Sequence, residues 1–159
     1  MQPSSNSIIF RHSLSKALCH NVELVDYFLK KHKLDVKDDW IPTTKLIDCL
    51  FHVEEKIGSN TLKQIGSNIA IAALMNMPSN RSFNFFKNTL NDIYESNHQN
   101  LKSGFQIKNM NENYIINLSN NPYPLSFNKG LISQFSLSDI SLNNVYQIAE
   151  QELFIEKVI

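Results

Sequence analysis

Glycine is scarce in this chain, with four in 159 residues, and none lies in a Gly-x-Gly-x-x-Gly or Gly-Lys-Ser/Thr loop. Backbone cradles for phosphate are built from such glycines, so the nucleotide-binding classes that depend on them are set aside. The Gly-x-Ser-x-Gly elbow, the His-Glu-x-x-His helix and the Cys-x-x-Cys pair are absent as well. Cysteine is scarcer still. Cys19 and Cys49 are too few and too far apart for a disulfide framework or a zinc site, which points to a reducing, cytoplasmic setting.

Excess charge is lacking too. Fifteen basic residues balance fifteen acidic ones, which removes the electrostatic argument for a nucleic acid or an anionic membrane as partner. No apolar run approaches the roughly 20 residues of a membrane helix, the longest being residues 69–75. A chain of about 150 residues buries about 70% of its unfolded surface, enough for one domain with a real core.

What is present is periodic. Residues 1–20 begin with a polar stretch and read as an arm, partly ordered, in which Ile8, Ile9 and Phe10 form a short strand or docking patch. Residues 21–159 read as a single α+β domain. Val22, Val25, Phe28 and Leu29 follow Asn21, a helix cap, at spacings of three and four. Leu46, Ile47, Leu50, Val53 and Ile57 mark a second amphipathic helix that starts at Pro42 or Thr43 and stops at Gly58. A third, capped by Ser59 or Asn60, carries Leu62, Ile65, Ile69 and Ala73 inward. Gly66, Ala70, Ala72 and Ala73 make it thin, open to a close-packed helix or to a ligand groove. A fourth helix runs from about Arg81 with Phe83, Phe86, Leu90, Ile93 and Tyr94 on one face, and ends near His98.

Beyond His98 the apolar period falls to two. Phe105 and Ile107, then Tyr114, Ile116 and Leu118, alternate across a polar turn at 109–113, the pattern of a hairpin. A second pair of strands is expected at 145–149 and 153–159, with its turn at 150–152. Between the two pairs lies Asn121-Pro-Tyr-Pro, where two prolines in three residues make a stiff connector and Ser126 caps a helix carrying Leu131, Ile132 and Phe135. The predicted architecture is therefore α+β: about four N-terminal helices followed by a β-β-α-β-β antiparallel sheet layer.

Residues for chemistry are few. Cys19 and His20 are adjacent, which is poor metal geometry, and Glu54 and Glu55 are neighbours in sequence and not a facing acid and base. His52 is read as solvent-facing near Glu55 or Lys56. His98 is either a functional imidazole or a cation complementing a helix C-terminus. No nucleophile, base and oxyanion donor can be grouped, so no catalytic residue, metal or cofactor is assigned.

Trp40-Ile-Pro, the run from Gly58 through Leu62 and Ile65 to Gly66, Asn97-His98, and Asn121-Pro-Tyr-Pro followed by Phe127-Asn-Lys-Gly130-Leu-Ile together resemble bacterial sensory domains. The relatives are the haem nitric-oxide-binding-like and vinyl-reductase-type superfamily, over roughly residues 22–135. That resemblance implies an α+β fold with helices before a sheet, and a small-molecule sensor acting as a dimer or beside a signalling protein. His98 stands at the Asn-His of the relatives, whereas Leu125 stands where they carry Cys after the second proline and the tail lacks their Cys-rich hairpin. The expected function is non-catalytic binding of an apolar small molecule, with a homodimer or a signalling protein as partner. Its expected site is Ile69, Ala73, Phe83, Phe86, Leu90, Tyr123 and Phe127, with His98 and Asn121 as polar contacts. The alternative is a ligand-free protein-interaction adaptor that retains the fold.

Overall fold

Asn6 ends a three-residue strand and caps the first helix, its side-chain oxygen accepting from the amides of Ile8 and Ile9 at 3.0 and 3.4 Å. Within the stretch expected as a partly ordered arm, residues 4–17 form this strand and helix. In the computed structural model, which describes residues 2–75, 85–101, 104–111, 113–137 and 142–157, with backbone alone at 85–88, 142–143 and 157, the chain opens with β1 (Ser4–Asn6) and α1 (Ser7–Ala17). Phe10, Leu14 and Ala17 recur at helical spacing and are buried, so Ile8–Phe10 is part of a packed helix and not a strand.

The predicted helices follow. α2 (Val22–Lys31) is capped by the Asn21 side chain on the amide of Leu24 at 3.1 Å. A short strand β2 (Trp40–Pro42) leads into α3 (Thr43–Lys56). Gly58, at φ +126°, then starts α4 (Ser59–Leu74), so the glycine expected to stop one helix also launches the next. α5 (Phe85–Ser96) is described from Phe85 onward and leads to β3 (His98–Gln99); Phe83 and the start expected near Arg81 lie outside the described residues.

β1 takes β2 on one side and β3 on the other, both antiparallel, giving a small sheet in the order β2-β1-β3. The larger sheet is the predicted one. β4 (Gln106–Met110) and β5 (Asn113–Asn117) form the first hairpin, α6 (Leu125–Ser136) follows, and β6 (Leu142–Ala149) with β7 (Glu152–Lys157) closes the sheet in the order β4-β5-β7-β6. Tyr114 and Ile116 of β5 and Leu153 and Ile155 of β7 alternate inward. The architecture is α+β, with five helices among the described residues ahead of the β-β-α-β-β unit.

α4 is the centre of the helical layer, packing on α1, α3 and most extensively α6. Its thinness serves a helix contact. A Cβ added at Gly66 would lie 2.1 Å from the carbonyl oxygen of Phe127, and one at Gly130 of α6 would lie 1.9 Å from that of Lys63. Two glycines thus let the backbones touch, and Phe127 and Leu131 of α6 line the same cavity as Ile69 and Ala70 of α4. One cluster of buried side chains extends from Phe10 to Ile155, and a fully buried Leu or Phe within it contributes about 1.5–3 kcal/mol relative to exposure.

Candidate ligand pocket

The proline loop builds one wall of a pocket. The Asn121 side-chain oxygen accepts from the amide of Tyr123 at 3.0 Å, an Asx turn that folds the chain between Pro122 and Pro124. Pro124, with φ −56° and ψ 145°, is the N-cap of α6, so the helix begins at Leu125 and not after a Ser126 cap. One turn in, the Asn128 side-chain amide donates to the Asn121 oxygen at 3.0 Å and to the Tyr123 carbonyl at 3.3 Å. These bonds clamp the loop to the helix and drive the Tyr123 ring inward, where it stacks on Phe127 at 5.0 Å and meets His98 edge-on at 5.5 Å.

His98 arrives from the opposite side, at the end of α5, stacked on Tyr94 at 4.1 Å. Its Nδ1 lies 2.6 Å from the Tyr94 carbonyl, which can only accept, so Nδ1 carries the proton. Nε2 of the neutral ring then accepts from the Tyr123 hydroxyl at 2.5 Å. The Tyr123 oxygen in turn accepts from Ser5 at 2.9 Å, and Ser5 from Thr43 at 2.8 Å. This chain of hydroxyls and imidazole ties together α5, the proline loop, β1 and α3. Burial pushes the His98 pKa below its ordinary value, against a smaller upward effect of the Tyr94 hydrogen bond. Burial also pushes the Tyr123 phenol well up, so both groups are held neutral.

Between these walls is a cavity of about 60 Å³, lined by Phe10, Leu46, Ile69, Leu90, Leu131 and Phe135 among others. Among the described residues, no Lys, Arg, Asp or Glu lines it. On this measure a single water needs about 10–15 Å³, so the space suits a molecule of a few heavy atoms.

Of the expected site residues, Ile69, Ala73, Leu90, His98, Tyr123 and Phe127 come together on this cavity. Asn121 is not on the wall; it braces the loop from behind. Phe83, and the side chain of Phe86, lie outside the described residues. Ser5, Tyr94, Phe105 and Asn128 line the cavity without having been singled out. For Asn128 a signal existed, since it sits four residues after Pro124 within Phe127-Asn-Lys-Gly130. For Ser5, in a polar terminus, none did.

One further expectation changes. His52 does not simply face solvent: its Nδ1 is 2.9 Å from Nε2 of His32, and its ring lies 5.0 Å from Phe28. Trp40, half-buried in β2, pairs with Asn6 across the small sheet. Among the described residues no group of three or more His, Cys, Asp or Glu is placed to hold a metal, and no helix is long and apolar enough to cross a membrane. In comparisons with known proteins, no family model matches the chain and no curated protein matches it.

Proposed function

We propose that the chain is a non-catalytic small-molecule-binding domain of sensory type, with the cavity between α4, α5 and α6 as its binding site. The observation that carries this reading is an apolar cavity bordered by the His98–Tyr123–Ser5 hydrogen-bond chain. Binding sites commonly combine an apolar lining with a few convergent polar groups, and here those groups come from three distant stretches of sequence. Occupancy that moves Tyr123 would be felt by β1 and α3 through Ser5 and Thr43. On this reading it alters how the chain meets a second copy of itself or a signalling protein. The motif resemblance to haem nitric-oxide-binding-like and vinyl-reductase-type domains is in keeping with this role, with His98 at the cavity and no thiol at Leu125.

The size of the cavity favours a rival in which the fold serves as a ligand-free interaction adaptor and the gap is a packing defect. Xenon separates the two. Methyl NMR under xenon pressure is expected to shift Ile69, Leu90 and Leu131 saturably, as a small apolar cavity open to ligands takes up the gas. Unmoved methyls on all three residues would overturn the ligand reading and leave the adaptor.

A further inference from the structure

Among the described residues, the polar groups around the cavity are nearly all committed, and one buried acceptor is left over. Tyr123 donates to His98, Ser5 supplies Tyr123, and Thr43 supplies Ser5. Asn6 donates to Asn97, whose own amide donates to the Ile93 carbonyl at 2.9 Å. Asn128 differs. It is 1% exposed and part of the cavity wall, and its amide nitrogen is held by two oxygens. Reversing the amide would set its oxygen against those two acceptors, so the orientation is determined by the network. Its Oδ1 is buried with no hydrogen-bond partner.

An orphaned acceptor in an apolar wall costs on the order of the desolvation of a carbonyl, and a donor that reaches it recovers that cost. We propose that the cavity is selective for small neutral molecules that donate one hydrogen bond from a short apolar body, short-chain alcohols being the simplest class, with Asn128 Oδ1 as acceptor. The proposal rests on the ligand-binding reading given above and adds the chemistry of the ligand. Among the described residues no Lys or Arg lines the cavity to offset the charge a carboxylate would bring against the Asn128 oxygen, and no carboxylate is there to pair with an ammonium group. A molecule that only accepts gains nothing, since the donors named are already engaged. The committed His98–Tyr123 pair shapes the wall and leaves recognition to Asn128.

Ethanol and its isomer dimethyl ether contain the same atoms, and only ethanol donates. Titrating each into the intact chain, the Leu90 and Leu131 methyls and the Asn128 side-chain amide signals are to be followed by NMR. Ethanol is expected to saturate at a concentration at least about tenfold lower than the ether and to move the Asn128 carbonyl carbon, whereas the ether leaves that carbon in place. Equal affinities, or an unmoved Asn128 carbon with ethanol bound, would overturn the donor selectivity while leaving the pocket intact. Xenon uptake without ethanol binding has the same meaning. Failure of xenon and of both organic probes overturns the pocket itself.

Discussion

The imidazole of His98 and the phenol of Tyr123 share a hydrogen bond of 2.5 Å in which the imidazole is the acceptor. Protonating Nε2 would set two donors against one another unless the Tyr123 hydroxyl turned its proton away from His98 and toward Ser5, reversing the Ser5–Thr43 bond as well. Burial works in the same direction, holding the His98 pKa below its ordinary value of 6.5.

Stability should therefore depend on pH with a defined sign. Below about pH 6.5 the unfolded chain takes up a proton on this histidine before the folded chain does, so stability is full above that range and falls as pH drops toward the folded pKa. His98→Gln is expected to flatten the fall in stability below about pH 6.5 in urea unfolding. His32, also shifted down by burial and by the neighbouring His52, acts in the same sense but is largely solvent-screened, so its share is smaller. An unchanged slope in His98→Gln would show that this imidazole titrates alike in the two states.

The contact between α4 and α6 admits no side chain at two points. Gly66→Ala and Gly130→Ala each place a methyl against backbone, at 2.1 and 1.9 Å, where no rotamer change gives relief. Each is expected to cost about 2 kcal/mol or more in denaturant unfolding. Because one outward movement of α6 relieves both clashes, the double variant should lose less than the sum. Strict additivity would mean that the helices yield locally and independently.

Much of this was legible in the sequence where one period ran long enough. The cap and spacing from Asn21 define α2, and the alternation of Tyr114, Ile116 and Leu118 defines the first hairpin. Stretches whose burial comes from tertiary contacts were not legible. α1 buries Ser7 and Ser13 beside Phe10 and Leu14, which blurs its stripe, and β1 is three polar residues made a strand by partners at 40–42 and 98–99. Gly66 and Ala70 announced a close approach, but nothing local named Gly130 as the opposite side. The apolar cavity residues were readable from helix faces, whereas Asn128 gains its position only once Tyr123 is turned inward.

The two thiols should behave as opposites. Cys49 is fully buried in α3, and burial pushes its pKa up to about 12, while Cys19 lies exposed after α1. The thiolate is the reactive form, so a disulfide reagent near about pH 8 is expected to titrate Cys19 at once and Cys49 only after unfolding. Rapid reaction of both in the native protein would indicate opening of the α3 packing on this timescale.

Tyr123→Phe isolates the hydroxyl from the ring. Phe keeps the stacking on Phe127 and the edge contact with His98, but leaves His98 Nε2 without its donor and Ser5 without its acceptor, at a cost of about 1–3 kcal/mol. The loss should be uneven. β1 is held by two short ladders and by Ser5, so the amides of Asn6 and Thr43, bonded to the carbonyls of Asn97 and Pro3, should exchange faster by more than the global loss predicts, with α4 following the global value. Ser5→Ala removes the supplier and spares the imidazole bond, so it should loosen the same amides with a smaller global cost. If Tyr123→Phe instead lowers protection equally in β1 and α4, the hydroxyl supports the core as a whole. The route from cavity to N-terminal strand would then lose its physical basis.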